Sequence, residues 1–483
     1  MKLQFFTAIF AYLLLVSASA CSTGPNNNSN PTSSMRYLEN DRIKLGIDLD
    51  LGGAITFLSD HVNGGENMIN SYDWGRQIQM AYYSGPWPYI GPNGEKPRPE
   101  WAALGWNPIQ SGDAGGYRSK VIDFEMRGNN SIFVRSIPMQ WPHETGVAAE
   151  CVFESLYTLE NNVITIEATI VNQRTDTTQY NASTQEMPAV YTNGPWYQVV
   201  TYLGDKPFSG QPTTTVIDKG VNRGWPWVHF YTPEKWVALL DENGYGIGVY
   251  QPEVMEFNAG FHPHADEMGS GGEKDNPTGH IAPTSRQILD HNIRWSYTTS
   301  LVLGTIDDIR EYAKSDRDES RQHEWQFVNS RRNWYYEGDA RDNGFPIDGL
   351  DMQFGKGGTL ASPVTFWEAA EAPFLEISGA FGCTSGDLEL TVSIQPVSPA
   401  DFTDWLNWSE GEHDVEAERK QKAAEFAVKP PVTLRHTITA DDTHRTYRVP
   451  LTADDGYNGA MKRLKISFSE SGTAKITSVR LAE

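Results

Sequence analysis

From residue 36 to about 305 the chain alternates apolar and polar positions with a period of two. Ile43, Leu45, Ile47 and Leu49 form one such run, Ile164, Ile166, Ala168 and Ile170 a second, and Ile293, Trp295, Tyr297, Thr299, Leu301 and Leu303 a third. Alternation of this kind predicts half-buried strands. Runs at 236–240 and 247–250 flank Glu242-Asn243-Gly244. Asn-Gly predicts a hairpin there, because both residues accept positive φ. No ten-residue amphipathic pattern interrupts the stretch, so antiparallel sheets stacked as a sandwich are expected. Residues 305–345 are charged and predict a short helix followed by a helical linker over 316–345. Alternation returns from about 346 with Leu388, Leu390, Val392 and Ile394, then Leu464, Ile466 and Phe468. A second, smaller β-sandwich over 346–483 follows. Within it, 414–428 places Glu416–Lys420 and Glu418–Lys422 four residues apart, predicting an exposed helix. The fold class is all-β.

The first residues have a different pattern. Lys2 precedes an apolar run, 3–16, broken by Gln4, Thr7 and Tyr12, and Ser17-Ala18-Ser19-Ala20 leads directly to Cys21. A membrane-spanning helix needs about twenty apolar residues. This run is shorter and reads as a cleavable signal, 1–20. Ala18-Ser19-Ala20-Cys21 resembles the lipobox of bacterial lipoproteins, with Ala18 where that box more often has Leu. The resemblance implies a lipid on Cys21 and anchorage to a membrane of the cell envelope, on its periplasmic or cell-surface side. Plain secretion is the alternative. Residues 21–35, rich in Ser, Asn, Pro and Gly, read as a lipidated flexible tether.

Composition narrows the partners. The net charge of −23 opposes binding to nucleic acid, which needs clustered Lys and Arg. With Cys21 assigned to lipid, Cys151 and Cys383 remain, and two buried free thiols are expected rather than one isolated bridge. Fifteen Trp, 21 Tyr and 20 Phe are present, many in polar segments such as 82–89, 106–110, 193–197 and 222–230. Rings beside amides and acids suit sugars, whose C–H faces stack while their hydroxyls seek polar partners.

The segment RIKLGIDLDLGGAITFL (42–58), with its Gly-Gly turn between strands, resembles the opening of the galactose-mutarotase-type supersandwich found in many carbohydrate-active proteins. The resemblance covers residues 36–315 and implies a large antiparallel supersandwich there. Aldose epimerases of that group use two histidines and a late glutamate, but their motifs are not visible in this sequence. The region 346–483 is similar in size and patterning to carbohydrate-binding modules.

Candidate chemistry lies on loops and strand mouths. Glu186, before an apolar strand, is the leading catalytic carboxyl, paired with Asp73 or Glu144, since glycoside hydrolysis needs two flanking carboxyl groups. An aromatic, buried setting would raise one of them to act as acid. Arg76, Gln79, Tyr82 and Tyr83 on one segment, Trp106, Asn107 and Gln110 on a Gly-rich loop, and His143, Tyr191, Asn193, Trp225 and His229 are the expected substrate contacts. His262, His264 and Asp266 read as a surface loop rather than a metal site. No metal and no cofactor are expected. The leading expectation is a glycoside hydrolase acting on a polysaccharide or oligosaccharide. Its rivals are a non-catalytic surface glycan-binding lipoprotein and a polysaccharide lyase, for which Tyr82, Tyr83, Arg76 and His143 could serve.

Overall fold

A computed structural model describes residues 34–217, 227–263, 265–317, 323–397 and 429–483. Cys21, Trp225, His264 and the stretch 414–428 lie outside them. Alternating residues form three antiparallel sheets. The first runs in the order Met35–Glu39, Ile43–Asp48, Ala54–Asp60, Ile78–Ala81, Ser183–Asn193, Thr278–Gln287, Glu256–His262 and Val228–Tyr231. The second is centred on Arg294–Thr305, Val163–Asn172 and Cys151–Glu160. Ile43, Leu45, Ile55, Ile78, Phe257 and Ile281 of the first sheet meet Phe153, Ile166, Ile170 and Leu301 of the second in one core. The in-between residues of the first sheet therefore point away from that core.

Gly52 and Gly53 make the first turn at φ 62° and 81°, and a Cβ on Gly52 would lie 2.0 Å from the Gln110 carbonyl oxygen. The hairpin at 241–244 also forms, although only Gly244 takes positive φ, while Asp241 accepts from the backbone N–H groups of Asn243 and Tyr245. The helix is Ile306–Asp316, with a Thr305–Asp308 capping box, and its Ile309 is fully buried. Linker character does not extend through 316–345. Short strands Glu324–Gln326, Tyr335–Glu337 and Ala340–Asp342 join the third sheet instead. Their Trp and Tyr side chains find burial there that charge density along the segment hid.

The third sheet is organised by the 23-residue strand Phe374–Pro396. Its first half pairs with Arg445–Pro450 and Gly472–Ala482, its second with Val432–Asp441 and Ala460–Phe468. It encloses its own core, with Trp334, Ile377, Leu390, Ile466 and Val479. The two bodies are joined by buried ions. Arg331 holds Asp342 through two bonds of 2.7 Å and Asp290 at 2.7 Å, and Gln179 donates to both carboxylates. Arg463 reaches Glu256 at 3.2 Å. Cys151 is buried and Cys383 only partly so, and both are free thiols. Among the described residues, no helix is long and apolar enough to cross a membrane.

Candidate functional site

The outer face of the first sheet gathers polar side chains where neighbouring strands present residues in register. Glu186 pairs with Thr284, Tyr191 with His280 and His229 with Asn258. Between Glu186 and Val190 the register shifts at a bulge, which brings Glu186 and Tyr191 to the same face despite their odd spacing. Opposite residues on adjacent strands stand about 5 Å apart, so the six form one patch.

Glu186 is 7% exposed. The Tyr83 hydroxyl donates to Glu186 Oε2 at 3.3 Å, and Asn258 also bonds the carboxyl. His280, fully buried, has Nε2 at 3.1 Å from Asn258 Oδ1 and 3.6 Å from Glu186 Oε1. Asn258 thus bridges the two, accepting from Nε2–H and donating to the carboxyl, an arrangement assigned from the hydrogen-bond network. Trp227 stacks on the imidazole at 4.5 Å and Tyr191 leans on it at 4.4 Å.

Electrostatics follow from this enclosure. Burial pushes Glu186 up to about 7, outweighing the Asn258 and Tyr83 hydrogen bonds that favour its charged form. Burial, helped by His229, lowers His280 to about 3. The Tyr83 and Tyr191 hydroxyls are raised well above the usual phenol range by burial and then by the Glu186 charge. Near neutral pH the patch therefore holds a carboxyl poised between its two forms beside a neutral imidazole. Such a group can give or take a proton at little cost.

Asp73 approaches from a loop. Its charge raises the Tyr191 phenol and that of Arg76 lowers it, so the pair lies near Tyr191. Arg76 Nε lies 3.4 Å from Asp73 Oδ2 and its guanidinium also donates to Asn276. Glu144 is engaged elsewhere, 2.8 Å from Arg98.

Several expected contacts are structural instead. Tyr82 and Trp106 are fully buried in the main core, Tyr82 edge-on to Phe153 and Trp106 beneath the Arg174 guanidinium. His143 is also fully buried, edge-on to Tyr89. Gln79 donates to the carbonyls of Trp74 and Arg76 and accepts from Ser111 N–H, Gln110 bonds Met80 N–H and the Gly52 carbonyl, and Asn107 donates to the Tyr82 carbonyl. Asn193 donates to Asn67 O. These amides saturate the backbone of irregular loops, a demand that looks in sequence like ligand recognition. Trp225 lies outside the described residues. His229 is exposed at the rim.

His280, Asn258 and Trp227 are the residues that sequence reading did not select. His280 had a signal: Thr278, His280 and Thr284 alternate with Gly279 and Ile281. Its place directly after a Gly-rich loop concealed that strand pattern.

No family model matches the chain, and no curated protein does. Among solved structures the chain is similar to a candidate aldose 1-epimerase of Escherichia coli K12, at 12% identity and TM-score 0.38, over 56% of this chain and 99% of that one. It is similar to a galactose mutarotase-like protein from Lactobacillus casei at 12% and 0.36, over 56% and 99%. It is also similar to a GH36 alpha-galactosidase from Geobacillus stearothermophilus at 9% and 0.34, over 62% of this chain and 45% of that one.

Proposed function

We propose that the protein is a carbohydrate-active enzyme that hydrolyses glycosidic bonds, with Glu186 as general acid. The observation that carries this reading is a buried carboxyl raised to about 7, bonded by the Tyr83 hydroxyl and beside a His280 against which the Trp227 and Tyr191 rings pack. A sugar lying on those rings would present its glycosidic oxygen to Glu186. Proton transfer from Glu186 accompanies cleavage of the carbon–oxygen bond, and solvent later restores the proton. Asp73 is the second carboxylate, serving the anomeric carbon directly or through a water molecule. Arg76 is its positioning residue, and the stereochemistry of the first product distinguishes the two roles.

The test is incubation of the purified chain with a glycan panel. New reducing ends are expected, and Glu186→Gln should lose turnover. Full turnover by both Glu186→Gln and Asp73→Asn would defeat the assignment. An unsaturated uronate chromophore would mean a lyase, and binding without product a pure glycan binder.

A second reading is proton transfer at the anomeric hydroxyl of a free sugar. It is favoured by His229, His280 and Glu186 sharing one face while Asp73 is ion-paired. Polarimetry on freshly dissolved aldoses tests it. We also propose, from the sequence at Cys21, that the chain is lipid-anchored in the cell envelope. Labelling with a fatty-acid analogue that disappears in Cys21→Ser is the expected result.

A further inference from the structure

The outer face of the first sheet carries a concavity outside the patch described above. Its cavity volume is about 360 Å³, between strands Met35–Glu39, Ile43–Asp48 and Ala54–Asp60 and the loops 70–77 and 265–277. That lies within the usual range for ligand clefts. Its floor is aromatic. Tyr37 and Phe57 meet edge to face at 6.1 Å, and both lie opposite Gly46, where a Cβ would sit 2.8 Å from Phe57 and 2.9 Å from Tyr37. Trp74 forms one wall, with the Arg118 guanidinium 5.7 Å over its ring. Tyr37 is 43% exposed, so part of this floor faces solvent.

The rim is charged, and two of its three carboxylates are paired with cations. Arg118 pairs with Asp50 at 3.1 Å, and Lys274 lies 3.9 Å from Glu273. Asp48 accepts from Ser34 Oγ and from Asp50 N–H. A cleft with ring surfaces below, hydrogen-bonding groups around and a slight excess of carboxylates suits an uncharged polyhydroxylated ligand rather than an anion.

Loop 70–77 is the ridge between this cleft and the Glu186 patch. Trp74 faces the cleft, whereas Asp73 and Arg76 act on Tyr191 on the other flank. Four strand spacings, about 19 Å, and a further shift along the strands separate Tyr37 from Glu186. That is a span of several sugar rings.

We propose that this cleft is a distal saccharide subsite, so that the substrate of the Glu186 site is an uncharged oligosaccharide or polysaccharide chain crossing the ridge. This deepens the function proposed above and rests on it for the reaction, though not for the binding.

The test is a printed array of neutral and acidic glycans probed with the full chain, followed by calorimetry on the neutral oligosaccharides retained. Affinity should rise with chain length. Trp74→Ala and Tyr37→Ala should each weaken the longer ligands roughly tenfold, the loss of one ring surface.

Unchanged affinity in both ring variants overturns the subsite, as does the absence of any neutral glycan on the array. A preference confined to acidic glycans overturns the proposed chemistry. If Tyr37→Ala leaves glycan binding intact but alters proteolysis of the chain before Ser34, the cleft belongs to the chain's own N-terminal segment, and the proposal falls. Turnover retained by Glu186→Gln would instead remove the catalytic reading while leaving the subsite standing.

Discussion

The substitution Glu186→Gln isolates the energetic consequence of enclosing this carboxyl. In the unfolded chain the group titrates near 4.5, and in the folded chain near 7. Over that interval the folded chain holds a proton that the unfolded chain has released, so rising pH favours unfolding. The stabilisation present below 4.5 is lost as pH climbs through 7, and the gap corresponds to roughly 3 kcal/mol. His280 works the other way. Its pKa falls from 6.5 to about 3 on folding, so stability rises with pH between those values and the parent's own profile mixes both slopes. Gln stays neutral throughout and can still accept from the Tyr83 hydroxyl, so the difference between the two chains reports Glu186 alone. Denaturant unfolding should give nearly equal stabilities below pH 4.5. Above pH 8 the variant should be the more stable by roughly 3 kcal/mol, with a melting temperature about 5 °C higher. Parallel profiles across that range would refute the claim that burial raises this group.

If Glu186 is the acid, kcat/KM should fall about tenfold per pH unit above 7 once its proton is lost, and a profile flat from 6 to 9 would exclude that role. Trp227→Ala removes the ring stacked on His280. It should lower kcat/KM roughly tenfold and move the His280 titration, followed by NMR, upward from about 3 toward 6.5. Arg331→Met leaves Asp290 and Asp342 buried without their shared cation, and calorimetry should register a loss of about 3–5 kcal/mol. A Cβ at Gly194 would lie 1.1 Å from the Ser270 carbonyl oxygen. Gly194→Ala should therefore expel the segment around Ser270 and expose it to limited proteolysis.

Strand periodicity made the sheets legible, because one face of each strand must be apolar to cover the core. Ile43, Leu45 and Ile47 show this directly. The site was harder to read. Glu186 stood out beside Met187-Pro188, but the bulge that aligns it with Tyr191 leaves no periodic trace. Tyr82 and Tyr83 are adjacent and chemically alike, yet one fills the core and the other bonds Glu186, a division set by which face each occupies. Trp106 and His143 shared the polar, Gly-rich context of ligand-binding loops. The loops around them fold back over the sheet, so that context served burial instead. His280 and Asn258 become partners only through strand pairing across 22 residues of sequence, a relation no local pattern encodes.

The Arg463–Glu256 pair gives the C-terminal body a hold on the row of the first sheet that contains Thr284 and then Glu186. Excising that body would strip a counter-ion from an acid two strands from Glu186. A shortened chain would then present an altered sheet face near Glu186 even if its missing part never met a ligand. Lost turnover after truncation would measure a severed tether between the two bodies as much as any forfeited grip on a glycan.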